Sequence, residues 1–355
     1  MLLIWRPHLS IFYNYENKNR KIHMNINPQM MSLAREARGL SQAELIAGLK
    51  TISQATYSRI EKGIVEIQTD QLKELADRLD YPESFFYRQN NYVTSYQEYL
   101  YRKKSTMPKK QQVKLEATFS MIRMLFEDLL MEVEIPDFSL PQIEIEHTNT
   151  PEVIANKIRQ YLGVPKGPII DLIGLLENRG IVVYFLEDAP DKFDGTTVIT
   201  NSGLNIIVLN ADMPNYRIKF TIAHELCHII AHIPFSNENP FKTDIEAEAN
   251  RFAAELLMPE EQIKPELFGL YYSSLDDIKG YWKVSKSSII YRAKALGCID
   301  TNRYIYLMTE LSRYNERRNE RSDVDLDSPK LLTLIVNTFY DELGYTDEEF
   351  LKALR

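Results

Sequence analysis

The stretch Tyr216–His232, YRIKFTIAHELCHIIAH, decides how the rest of the chain is read. Ile218, Phe220, Ile222, Ala223, Leu226, Ile229 and Ile230 make it apolar on most sides, the pattern of a packed helix. Polar groups in such a helix need partners. Four residues advance an α-helix by about 400°, so His224 and His228 lie one above the other and aim two imidazole nitrogens at one point. Glu225 stands about 100° away, placed to reach a water at that point rather than the point itself, as a general base must.

The pattern His-Glu-x-x-His is that of a Zn²⁺ site, and a catalytic Zn²⁺ takes three protein ligands and keeps a fourth position open. The next helical segment, Asp244-Ile245-Glu246-Ala247-Glu248-Ala249-Asn250-Arg251-Phe252, offers the third. Glu246 is the preferred carboxylate, and Asn250, one turn on, is placed to accept the second ring proton of a ligand histidine. Glu248 competes, but it points about 200° away from Glu246, so only one of the two is expected to face the site. With Ile245, Ala249, Phe252 and Leu256 as the buried face, Glu248 and Glu255 fall towards solvent. His232 lies one turn past His228. The longer His-Glu-x-x-His-x-x-Gly-x-x-His pattern needs a histidine where Pro234 stands, so His232 reads as a cleft or helix C-terminal residue acting on the dipole. Cys227 faces away from both histidines and reads as a small buried apolar side chain.

Around this centre the pattern alternates. Helices are expected over Pro151–Leu162 and Ile169–Arg179, strands over Ile181–Leu186 and Asn205–Leu209, and helices over Tyr216–His232 and about Thr243–Leu257, stopped by Pro259. That is an α+β domain with a small sheet. A helical hairpin follows over Ser274–Gly297, with an acidic helical tail from Asp323. Ahead of the domain, Pro28 to about Phe86 carries helical spacing in short blocks, a bundle of about five helices. There Ser41 and Glu44 form a capping-box pattern, and Ser53 caps a further helix after a tight connection at Leu49–Ile52. Two helices so joined make a helix-turn-helix.

The 355 residues favour two domains, and 44% hydrophobic with 26% charged residues is an ordinary globular composition. A net charge of −8 gives no global basic signature, so contact with nucleic acid must come from a local surface. Two cysteines, Cys227 and Cys298, make no disulfide framework and point to a reducing cytoplasm. The apolar start of residues 1–23, broken by Arg6, Pro7 and His8, is too short to cross a membrane, and Met24 suggests an extension or an early start. The expected division is an extension over 1–23, a helix-turn-helix domain over 24–92, a connecting helix and acidic linker over 93–149, a metal domain over 150–262 and a helical region over 263–355.

Phe220–His228 together with Glu246–Pro259 resembles the ImmA/IrrE family of metallopeptidases, and Pro168–Leu172 and Gly180–Val183 are similar to that family's entry helix and first strand. The likeness covers roughly residues 150–260. It implies an α+β, zincin-like (gluzincin-like) metallopeptidase domain with Zn²⁺ held by His224, His228 and Glu246 and with Glu225 as catalytic base. Members of the family are associated with cleaving helix-turn-helix repressors. Cys227 stands where the family usually has glycine. The stretches Leu33–Leu45 and Ser58–Gly63 are similar to the Xre/Cro helix-turn-helix family, which implies that Ser53–Glu61 is the recognition helix on double-stranded DNA. On that placement Ser53, Gln54 and Thr56 enter the major groove. Gln54 contacts adenine, Arg59 reaches guanine or phosphate, and Gln42 clamps the backbone. Arg102, Lys103, Lys104, Lys109 and Lys110 add sequence-independent phosphate contacts. Tyr57 occupies a position that usually carries an aliphatic core residue.

The function expected is a DNA-binding regulatory zinc endopeptidase acting on a protein such as a repressor, and repressor-type helix-turn-helix domains commonly pair on two half-sites, which points to a homodimer. The alternative is a transcriptional regulator, antitoxin or phage-defence component whose metal domain senses without cutting.

Overall fold

The computed structural model describes residues 25–89, 107–236, 244–317, 319–322, 324–325, 327–347 and 349–350. The extension over 1–23, the 92/93 boundary and Arg102, Lys103 and Lys104 lie outside the described residues. The described residues form two compact units, one from those up to Ile135 with Thr200–Ser202 and those from Leu332 on, the other from those within Pro136–Ile199 and Gly203–Leu331.

In the first unit α1 (Pro28–Ala37), α2 (Gln42–Ile46), α3 (Gln54–Glu61) and α4 (Thr69–Leu79) precede a 3₁₀ turn at Glu83–Tyr87. Asn27 caps α1 with its Oδ1 3.0 Å from the Gln29 amide, and Pro28 takes the first helical position, where no amide is needed. The Ser41–Glu44 capping box opens α2. Ser53 opens α3, its Oγ accepting from the Thr56 amide at 3.1 Å. Between them, the Glu74 carboxylate accepts from the Lys50 amide at 2.5 Å and the Thr51 amide at 3.0 Å, which fixes the turn. Met30, Met31, Leu45, Tyr57, Leu72, Leu75 and Phe86 fill the core. Tyr57 is fully buried, so this face of α3 points inward despite the aromatic ring. α5 (Lys109–Leu129) packs on α1 and sends Ala117 and Met124 into the same core.

The second unit holds α6 (Pro151–Tyr161), α7 (Leu172–Glu177), β1 (Ile181–Leu186), β2 (Gly195–Ile199), β3 (Asn205–Asn210), α8 (Asn215–Cys227) and α9 (Ile245–Leu257). Then come α10 (Glu260–Leu267), α11 (Leu275–Trp282), α12 (Lys286–Ala295) and α13 (Thr301–Arg313); α14 (Leu331–Asn337), which follows, belongs to the first unit from Leu332 on. The sheet order is β1-β3-β2. β3 runs parallel to β1 and antiparallel to β2, pairing Val183 with Ile207 and Thr197 with Ile207. All six residues of β3 are buried, as the centre of the sheet requires. β1 and β3 fall where the apolar runs placed them, whereas β2 was not expected; Asp194-Gly195 reads as a turn.

An all-helical bundle with a helix-turn-helix is therefore followed by an α+β domain with a small three-stranded sheet. α9 packs on both α6 and α8, and α8 packs on β2 and β3. The segment from Pro136 to Asn149 has no helix or strand and is tied to the second unit, with the Ile143 amide donating to the Ile230 carbonyl at 3.2 Å. No described helix is long and apolar enough to cross a membrane.

Candidate metal centre

α8 does not end at His228. It continues as one π-helical turn over His228–His232, closed by the Ile233 amide on the His228 carbonyl at 2.9 Å. Such wide turns are rare and recur at functional sites. His224, His228 and His232 form a row at i, i+4 and i+8, and α9 lies alongside it.

His224 Nε2 and His228 Nε2 are 3.2 Å apart. A carboxylate closes the group, with Glu246 Oε2 3.4 Å from His224 Nε2 and Glu246 Oε1 3.6 Å from His228 Nε2. Four-coordinate Zn²⁺ with arms of about 2.0–2.1 Å sets donors about 3.3–3.4 Å apart, so these spacings suit one small divalent ion. The outer side of each ring supports the same reading. His224 Nδ1 lies 3.0 Å from Asn250 Oδ1, an acceptor, so the ring proton sits on Nδ1 and the Nε2 lone pair points inward. The donor set fits the ion.

Glu225 is buried, and its carboxylate lies with the two imidazoles in a group whose donor atoms are all within 4.8 Å of one another. Its Oε2 accepts a hydrogen bond from Thr197 Oγ1 at 2.9 Å. Thr197 belongs to β2, the strand that was not expected, and so restrains one of the two carboxylate oxygens.

Residues 176–294 match the family model described as the IrrE N-terminal-like domain of peptidase family M78. Residues 31–86 match the model described as helix-turn-helix. The chain carries a helix-turn-helix domain and, after it, an M78-type domain. No curated protein matches the chain.

Within the M78-type domain two expectations are corrected. Glu248 does not fall to solvent: its Oε2 is 3.1 Å from His232 Nε2, and its side chain is 19% exposed. Three imidazoles spaced over two helical turns form a row about 12 Å long, enough to receive both carboxylates at different points. Glu255 is 3% exposed, because α9 is covered by neighbours there; it pairs with Arg292 of α12 and accepts from Asn156 Nδ2 of α6 at 2.9 Å. His232 stands at the last residue of the π turn, the C-terminal end of this helix. It is buried, with its Nδ1 2.8 Å from His228 Nδ1. The i, i+4 spacing of His228 and His232 is the sequence signal for this contact. Cys227 is fully buried in the apolar core.

In the helix-turn-helix domain, Gln54 and Arg59 are exposed on α3. Ser53 and Thr56 bond to each other, Oγ to Oγ1 at 2.8 Å, and serve the helix start. Gln42 Nε2 donates to Glu61 Oε2 at 2.5 Å, while Arg35 Nε donates to Glu61 Oε1 at 2.7 Å, so Gln42 is tethered to α3. Lys110 is bound to Glu44 at 2.7 Å, an ion pair that competes with any phosphate contact.

Proposed function

We propose that the chain is a DNA-binding regulator whose second domain is a zinc peptidase acting on a regulatory protein, a helix-turn-helix repressor being the class of substrate favoured. The single observation that carries the enzymatic part is the convergence of His224, His228 and Glu246 donors at 3.2–3.6 Å beside a buried carboxylate, Glu225. In this reading His224, His228 and Glu246 hold Zn²⁺, and Asn250 orients His224. When bound, the ion supplies Lewis acidity that polarises a peptide carbonyl and acidifies a water. Glu225 takes the proton of the attacking water and returns it to the leaving amine. Thr197 keeps the Glu225 carboxylate turned to its task. Ser53, which caps α3, and Gln54, Thr56 and Arg59 of α3 face DNA in this proposal, with Gln54 and Arg59 supplying the base and phosphate contacts and Gln42 bracing the helix from α2.

Glu225→Gln tests the reading. It keeps the shape and removes the base, so cleavage of a co-expressed repressor should fall by about 10²–10⁴-fold with one Zn²⁺ still bound. Regulation in cells that survives Glu225→Gln unchanged would leave a metal-containing sensor in place of a peptidase.

A further inference from the structure

We propose that His232 and Glu248 are positioning residues of the metal centre, forming a relay that fixes His228 in the tautomer whose Nε2 carries no proton and turns its lone pair to the ion. The inference rests on the zinc reading above and extends it to two residues outside the ligand set.

The geometry is a chain of three contacts. His228 Nδ1 faces His232 Nδ1 at 2.8 Å, and His232 Nε2 faces Glu248 Oε2 at 3.1 Å. An ionised carboxylate only accepts, so His232 carries its proton on Nε2. A neutral His232 then has a bare Nδ1, which can only accept, so His228 must carry its proton on Nδ1 and donate it. That leaves the lone pair of His228 on Nε2, aimed at His224 Nε2 and Glu246. His224 reaches the same state through Asn250. With neither Nε2 bearing a proton, the 3.2 Å approach of the two rings is not a hydrogen bond but two lone pairs turned to one point, an arrangement a cation resolves. His232 side-chain exposure is 1%, so water does not substitute for either partner. The π turn that begins at His228 carries both imidazoles of the relay, at its first and last residues.

Full-length protein is compared with Glu248→Met, which deletes the acceptor at similar length, Glu248→Gln, which keeps an acceptor oxygen, and His232→Leu. Competition with a chromophoric chelator should show Zn²⁺ bound about 10–100-fold more weakly in Glu248→Met and His232→Leu, with most of the affinity regained in Glu248→Gln. The metal-free melting temperature of Glu248→Met should match that of Glu248→Gln, which separates positioning from packing. Wild-type affinity in Glu248→Met, while His228→Ala abolishes binding, overturns the relay and leaves the zinc reading standing. A wild-type protein that takes up no Zn²⁺ overturns both.

Discussion

His224 Nδ1 and Asn250 Oδ1 lie 3.0 Å apart, joining α8 to α9 at the first of the two ring positions of the site. In the zinc reading Asn250 orients His224 from α9, as Glu248 acts on His228 through His232. Asn250→Leu should weaken Zn²⁺ binding by about 10–100-fold, and Asn250→Asp should keep the acceptor and retain most of it. Chelator competition on the two purified variants measures the difference; equal affinities would remove Asn250 from the site.

Arg292 donates into the core, to Glu255 and to the Met258 carbonyl, and is 5% exposed. Arg292→Met leaves the Glu255 carboxylate buried without its counter-charge, and removing one partner of such a pair costs about 3–5 kcal/mol. Urea unfolding followed by tryptophan fluorescence reads this directly, because Trp282 belongs to the same core.

Gly180 enters β1 with φ +76°, and a Cβ there would come within 2.5 Å of the Pro136 carbonyl oxygen and 2.6 Å of the Phe138 amide nitrogen. Backbone cannot swing aside as a side chain does. Gly180→Ala should therefore cost about 2–4 kcal/mol, from the left-handed conformation and the displaced segment together. A melting temperature equal to that of the wild type would contradict the packing described.

The Glu44 carboxylate is held down to about 2 by its bond to Lys110 and by the Ser41 amide and hydroxyl. A folded value below the ordinary 4.5 means stability present above pH 4.5 that is lost as pH falls towards 2. Lys110→Ala should raise the Glu44 midpoint in an NMR titration and make the stability of the helix-turn-helix domain less sensitive to pH across that interval.

Arg59 projects from α3 into solvent. If it meets a phosphate, Arg59→Ala should reduce the slope of log K against log salt by about 0.9 on a random-sequence duplex, in fluorescence anisotropy. Gln54→Ala should leave that slope alone and cost about 1–3 kcal/mol only on a cognate site.

Much of the architecture was legible because its determinants are local. The capping box at Ser41–Glu44 and the apolar runs of β1 and β3 are short-range signals that tertiary contacts reinforced. β2 was not, since a five-residue edge strand opening with glycine resembles a turn until β3 is there to pair with it. At the site, periodicity stacked His224 on His228, but it could not tell how α9 lies against α8. That relation decides that Glu248 meets His232 and that Glu255 is covered. An angular argument on one helix treats solvent as the default neighbour, and here a second and third helix occupy that space.

Lys279, Lys286 and Arg292 are each at most 5% exposed, and each is neutralised within the second unit, by Glu320, by Glu316 with Asp276, and by Glu255. A tally of cations along α11 and α12 therefore overstates what an approaching polyanion would feel, since these three charges look inward. What α12 offers outward is led by Tyr291, 52% exposed, so recognition on that side would depend on ring contacts and shape more than on long-range attraction, and would tolerate salt.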